Sequence, residues 1–144
     1  AKPWLKVNPN YREINVRAQQ GDSDSLLSFY KKLIRLRKDP QWADAAVYGR
    51  TVPLMEEKTG LMAYLRKGED RDLLVLGNFN AKELTLSVRQ LLSGGQMGES
   101  GGPETLESAP VLINNDDGLD REGDTLRLAP LQAVVIGIVH KNNK

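Results

Sequence analysis

The chain contains no cysteine, which excludes disulfides, thiolate metal sites and a cysteine nucleophile. It has one histidine, His140, too few for a zinc-binding histidine cluster. No apolar run approaches the roughly 18 residues of a membrane span. Net charge is almost absent: Lys and Arg total 20 against 19 Asp and Glu, leaving +1. No general electrostatic pull toward nucleic acid or an anionic membrane follows from that balance. Apolar residues make up 40% of the chain, below the ~45–50% usual for a self-sufficient globular domain. Pro3 and Trp4 come early and no apolar segment follows Ala1, so no signal peptide is expected here and the expected location is cytoplasmic.

What is present begins with turns. Residues 1–21 carry Pro and Asn punctuation, with Trp4, Leu5, Val7, Tyr11, Ile14 and Val16 apolar but not at helical spacing. This reads as an irregular loop with anchoring side chains, because disordered segments rarely hold Trp and Tyr at this density. Asn8-Pro9-Asn10 is a turn signal. A helix start follows, with Asp22 or Ser23 as the expected cap. Leu26, Phe29, Tyr30, Leu33 and Ile34 form an apolar stripe at i, i+3, i+4, i+7 and i+8. Lys31, Lys32, Arg35, Arg37 and Lys38 lie mostly off it and read as a solvated face. Pro40 disfavours helix at Asp39 and ends the element.

After Trp42 the period changes to two. Strands are expected at 45–49, 50–55, 61–66, 72–78, 83–88, 109–114, 124–128 and 131–139, with no further helix. Pro53 assigns 50–55 to a sheet edge, and two-sided apolar character assigns 72–78 and 131–139 to sheet interiors. Residues 93–104 hold five glycines and a proline in twelve positions, a loop and the expected proteolytic site. Residues 141–144 are a polar tail. Short strands at this spacing are the signature of a sandwich or a barrel, and the expected fold class is mainly β, an antiparallel β-sandwich of about eight strands.

The chemical candidates resolve into ordinary roles. Asn115, Asp116, Asp117 and Gly118, with Asp120, Glu122 and Asp124, resemble a calcium loop loosely, but no bidentate Glu closes the frame, so hairpin-turn chemistry is expected. Residues 93–98 are glycine-rich, but no helix start or lysine follows to make a phosphate cradle. His140 is expected on the surface. The carboxyl pairs Glu56-Glu57, Asp116-Asp117 and Glu122 with Asp124 sit in turns. Glycoside chemistry needs two carboxyls facing across a cleft in contrasting environments. No catalytic, substrate-binding or metal residue is assigned, and no cofactor.

The runs Pro3-Trp4, Val7-Asn8-Pro9-Asn10-Tyr11, Ile14-Asn15-Val16 and Phe29 to Lys38 (FYKKLIRLRK) resemble the C-terminal region of the alpha-glucosidases of glycoside hydrolase family 13. The resemblance is to the branch of oligo-1,6-glucosidase, dextran glucosidase, trehalose-6-phosphate hydrolase and the sucrose isomerases. It continues through Tyr48-Gly49, the strand ending in Asn78-Phe79, and Leu128-Ala129-Pro130, where Leu131 replaces the family's usual aromatic and is expected to alter core packing. The resemblance implies that residues 1–41 are the last loop and helix of a (β/α)8 barrel and residues 42–144 a C-terminal antiparallel β-domain. It implies that the chain is a fragment of a retaining alpha-glucosidase acting on short, alpha-1,6-linked oligosaccharides, inactive alone, with the upstream barrel of the same protein as its partner. The family's catalytic Asp, Glu and second Asp come from barrel strands four, five and seven, and no position here matches them. The Trp4–Tyr11 loop would pack on the barrel face where such sites are built, with a subsite wall as the sharper role. A stand-alone β-sandwich that binds sugar or protein without catalysis is the alternative.

Overall fold

The computed structural model describes residues 3–93 and 103–140. Residues 94–102, most of the glycine-rich loop and of the run 93–98 weighed as a phosphate cradle, and the polar tail (141–144) lie outside the described residues. The chain divides into two compact units, Ala1–Arg35 and Leu36–Lys144.

In the first unit, asparagines turn the expected irregular loop into short helical turns. Asn8 Oδ1 accepts from Asn10 N at 3.2 Å and opens a 3-10 turn at Pro9–Arg12. Asn15 Oδ1 accepts from Ala18 N at 2.9 Å and caps helix α1, Val16–Gln19. Helix α2, Leu26–Lys38, starts two residues later than its acidic signals suggest. Its cap is Ser25, whose Oγ accepts from Ser28 N at 3.3 Å and donates to Asp22 O at 2.8 Å. Such a cap contributes ~1 kcal/mol. Gln19 Oε1 accepts a further end amide, Leu27 N, at 2.8 Å. Packing does not match this order. No residue of α2 is buried, and Leu26, Tyr30 and Ile34 of its stripe are 69%, 62% and 51% exposed.

The second unit is an antiparallel sandwich. Strands β1 (Arg50–Pro53), β2 (Leu61–Lys67), β3 (Arg71–Asn78), β5 (Val111–Asn114) and β8 (Ala133–Val139) form one sheet, in the order β1-β2-β3-β8-β5. Strands β4 (Leu84–Ser87), β6 (Asp120–Glu122) and β7 (Thr125–Leu128) form the other, in the order β4-β7-β6. Pro53 lies in an edge strand, and β3 and β8 are interior, as their sequences require. The pleat sends Leu65, Leu74, Leu76, Val134, Ile136 and Ile138 into one core with Leu86, Leu126 and Leu128 of the small sheet.

Four readings of these elements are corrected. Residues 45–49 are not a strand: Asp44–Tyr48 is a π-helical turn closed by Gly49 N to Asp44 O at 2.9 Å. Arg66 holds that turn, donating to Ala45 O at 3.3 Å and Val47 O at 3.2 Å. Two further helices are present, α3 (Val88–Ser93) and α4 (Pro103–Ser108). In α3, Val88, Leu91 and Leu92 close the sandwich core, a helical i, i+3, i+4 spacing that ends the strand expected over 83–88. The short polar strand β6 was hidden among acidic turn residues and exists through its ladder with β7. Leu131 is 63% exposed and held at φ +59°, so it does not pack in the core.

Two devices hold the sandwich. Asn78 is buried where the sheets meet: its Nδ2 donates toward Lys82 O (2.9 Å), Leu128 O (3.2 Å) and Ala129 O (2.9 Å). Its Oδ1 accepts from Asn80 N and Asn80 Nδ2, both at 3.0 Å. On the opposite face of the large sheet, Trp42 packs with Ala45 and Leu73. Its indole lies directly over Gly137, where a Cβ would overlap the ring.

A Gly137→Ala substitution is therefore expected to destabilise the β unit by about 1–3 kcal/mol through overpacking. It should also red-shift the Trp42 emission, read by urea unfolding and fluorescence in a Trp4→Phe background. Unchanged stability and emission would refute the contact. A second expectation concerns Asp124, which caps α3 from another segment: Oδ1 accepts from Arg89 N and Oδ2 from Ser87 Oγ, both at 2.8 Å. The Arg89 amide bond, then the Ser87 hydroxyl, hold its carboxyl below its ordinary pKa. A depressed folded value gives stability that is full above the unfolded pKa and lost as pH falls through the folded one. Asp124→Asn should flatten that acid limb in urea midpoints measured from neutral to acid pH; superimposable profiles would refute it.

Candidate functional site

The described residues form a concavity of about 310 Å³ lined by Pro40, Gln41, Asp44, Ala45, Glu69, Asp70 and Arg71. Local chemistry builds it. Beyond Pro40 the chain turns through Asp39, whose Oδ1 accepts from Gln41 N at 2.8 Å and whose O accepts from Trp42 N at 3.0 Å. The π-helical turn then presents Asp44, and Asp44 Oδ2 accepts from Glu69 N at 2.9 Å. Gly68 permits this approach, since a Cβ there would crowd Asp44 Oδ2 and the Arg71 carbonyl. Arg71 places its guanidinium over the Trp42 ring, 5.3 Å from the centroid.

The loop before β3 is braced from behind by His140. Its backbone N donates to Asp70 O at 3.0 Å, and its ring Nδ1 lies 3.1 Å from Glu69 O. Its Nε2 lies 3.0 Å from Oδ1 of Asp72, a carboxylate only 1% exposed that also accepts from Gly68 N at 3.2 Å. His140, expected at the surface, keeps 32% of its side chain exposed and is in addition the partner of a buried acid. A signal for this existed. Asp72 alternates with Leu74 and Leu76 on the core face, and a carboxylate in that register requires a partner.

These groups brace a loop. The Asp44 carboxylate at the concavity and the Asp72 carboxylate behind it are both engaged by backbone amides of the loop, Glu69 N and Gly68 N. The carboxyl pairs noted in the sequence lie elsewhere. Glu56, Glu57, Asp116 and Asp117 are exposed in turns, Glu122 lies in β6, and Asp124 caps α3. Among the described residues no group of three or more His, Cys, Asp or Glu side chains is arranged to hold a metal. Trp42, 5% exposed, has no open face for a sugar to stack on. In the first unit Trp4 is 93% exposed and Tyr11 50%. The Arg12 guanidinium lies 5.7 Å from the Tyr11 ring centroid. The basic side chains of α2 are exposed, as their spacing implied.

Comparison with known proteins places this arrangement. The alpha-amylase catalytic-domain model matches residues 1–46. An oligo-1,6-glucosidase of Bacillus cereus is 33% identical over 134 residues, 93% of this chain and 21% of that protein. A trehalose-6-phosphate hydrolase of Bacillus subtilis is 32% identical, over 92% of this chain and 21% of its own length. In three dimensions, the trehalose-6-phosphate hydrolase of Bacillus licheniformis matches with a TM-score of 0.72 and 33% identity, over 95% of this chain and 22% of that one. An isomaltulose synthase from Klebsiella sp. LX3 gives 0.72 and 29% over the same shares. The chain therefore spans about a fifth of the length of the relatives it matches. With these likenesses running through both its opening motif and its sandwich, the chain belongs to the alpha-amylase family, glycoside hydrolase family 13.

Proposed function

We propose that these residues are the C-terminal portion of a retaining alpha-glucosidase that hydrolyses short alpha-glucosides, alpha-1,6-linked ones in particular, in carbohydrate metabolism. Residues 1–41 are then the last loop and helix of its (β/α)8 barrel, and residues 42–144 the β-domain that stabilises the barrel. The observation that carries this reading is the unburied stripe of α2. A helix with Leu26, Tyr30 and Ile34 more than half exposed has apolar surface that only further protein can cover. The catalytic-domain match supports the same reading, since it takes in the whole of α2.

In a retaining glycosidase one carboxylate attacks the sugar to form a covalent intermediate while a second carboxyl protonates the leaving oxygen, then activates water. No carboxyl of this chain is assigned either role. Its contribution is structural: to complete the barrel wall and seat it on a rigid sandwich. Oligosaccharide would meet the parent protein rather than these residues, with a subsite wall at Trp4 to Tyr11 the nearest approach. A cytoplasmic location belongs to the same proposal. The stand-alone binding module is disfavoured by Trp42, whose faces are covered by Gly137 and Arg71.

The purified chain is expected to show no turnover of p-nitrophenyl alpha-glucoside or isomaltose and no thermal shift with either. Turnover free of host enzyme would overturn the reading, and a sugar-dependent shift would favour the binding module. A paired stability measurement tests the stripe. Leu26→Ala should change the isolated chain by no more than about 0.5 kcal/mol, the range of exposed sites. In a protein carrying the whole barrel it should cost about 2–5 kcal/mol, as for a buried leucine. Equal effects in both settings would remove the argument for a covering barrel.

A further inference from the structure

The turn between β5 and β6 holds the one Asp–Gly step in the sequence, Asp117–Gly118, and the chain has no Asn–Gly step. Both residues are exposed. An ideal Cβ on Gly118 would meet no atom within 4 Å, so no neighbour obstructs the Gly118 backbone on that side. The turn is braced by other oxygens: Asn114 Oδ1 accepts from Asp116 N at 3.1 Å, and Asp116 Oδ1 from Asp117 N at 2.7 Å. These bonds leave the Asp117 carboxyl next to the amide of a residue without a side chain.

We propose that Asp117–Gly118 is a self-modification site, where the aspartyl side chain takes over the main-chain linkage through a succinimide. Gly118 N gives its proton to solvent and attacks Asp117 Cγ. The N–Cγ bond forms, the Cγ–OH bond breaks and one water leaves. Water then adds to the Asp117 main-chain carbonyl carbon and breaks its bond to Gly118 N. The main chain now runs through Cγ, and the former carbonyl carbon is a free carboxylate. One water is lost and one regained, nothing is oxidised or reduced, and the product is isoaspartate.

The surroundings give this step a structural consequence. Gly118 O accepts from Gln132 Nε2 at 2.6 Å and from Asn114 Nδ2 at 3.1 Å. Gln132 is 2% exposed, and its Oε1 accepts from Ala129 N at 2.8 Å. An added methylene in the main chain moves the Gly118 carbonyl away from the buried Gln132 amide, which then keeps only Asn114 Oδ1, at 3.0 Å, as acceptor. Conversion at one exposed turn thereby loosens the clamp that joins the β5–β6 turn to the entry of β8.

The experiment ages the whole chain at neutral pH, at a temperature below its unfolding midpoint. Isoaspartate is mapped by peptide mass spectrometry after labelling with an isoaspartyl methyltransferase and its methyl donor. Asp22–Ser23 and Asp24–Ser25 serve as internal controls. Label should accumulate at Asp117 ahead of both controls, together with a shift of the Gln132 side-chain amide resonances. Gly118→Ala should lower the rate to that of the controls while the protein stays folded by circular dichroism. Label at Asp117 no faster than at the controls, or only after unfolding in urea, would overturn the proposal.

Discussion

Leu73 and Leu74 are neighbours in β3, point to opposite faces of the sheet, and are 3% and 0% exposed. A strand buried on both sides must be covered on both sides, and the second unit is arranged to meet that requirement. The small sheet with α3 and α4 covers one face. The segment carrying Trp42 and Ala45 covers the other at Leu73. Removing either cover would expose leucine surface worth roughly 1.5–3 kcal/mol per side chain. The π-helical turn and the stacking of Arg71 on Trp42 belong to the second cover, while His140 meets Asp72, which shares the core face with Leu74 and Leu76.

The first unit presents the opposite case. Its helices carry asparagine and serine caps made within the same stretch of chain. Leu26, Tyr30 and Ile34 nevertheless remain more than half exposed. Local order and burial are separable, and α2 shows them separated: capped at Ser25, amphipathic in pattern, and without one buried residue. The proposed reading as part of a longer protein would account for such a helix; the chain spans only about a fifth of the length of the relatives it matches.

Legibility in the sequence followed the range of the interactions. Period two gave away β7, short two-sided apolar runs gave away β3 and β8, and the edge position of β1 followed from Pro53. The stripe of α2 was equally plain. The run 45–49 misled because a short apolar segment with Val and Tyr suits strand and helix alike. It was decided by Arg66, some twenty residues away, donating to its carbonyls. β6 was illegible because Asp120, Arg121 and Glu122 carry no apolar alternation and owe their strand to the ladder with β7. The concavity was less legible still. Its acidic residues could be counted, but not that Asp44 would bind an amide 25 positions away or that Asp72 would meet His140.

Gly137 is more than a small residue under a ring. Strand β8 is almost wholly apolar, and a slide of two residues along β3 would preserve the face of every side chain while mispairing the sheet. Such a slide would bring Val135 or Val139 beneath the indole of Trp42, where not even a methyl fits. The notch therefore works as a register gauge, by which a helical segment outside the sheet rejects misaligned pairings that hydrophobicity alone would accept.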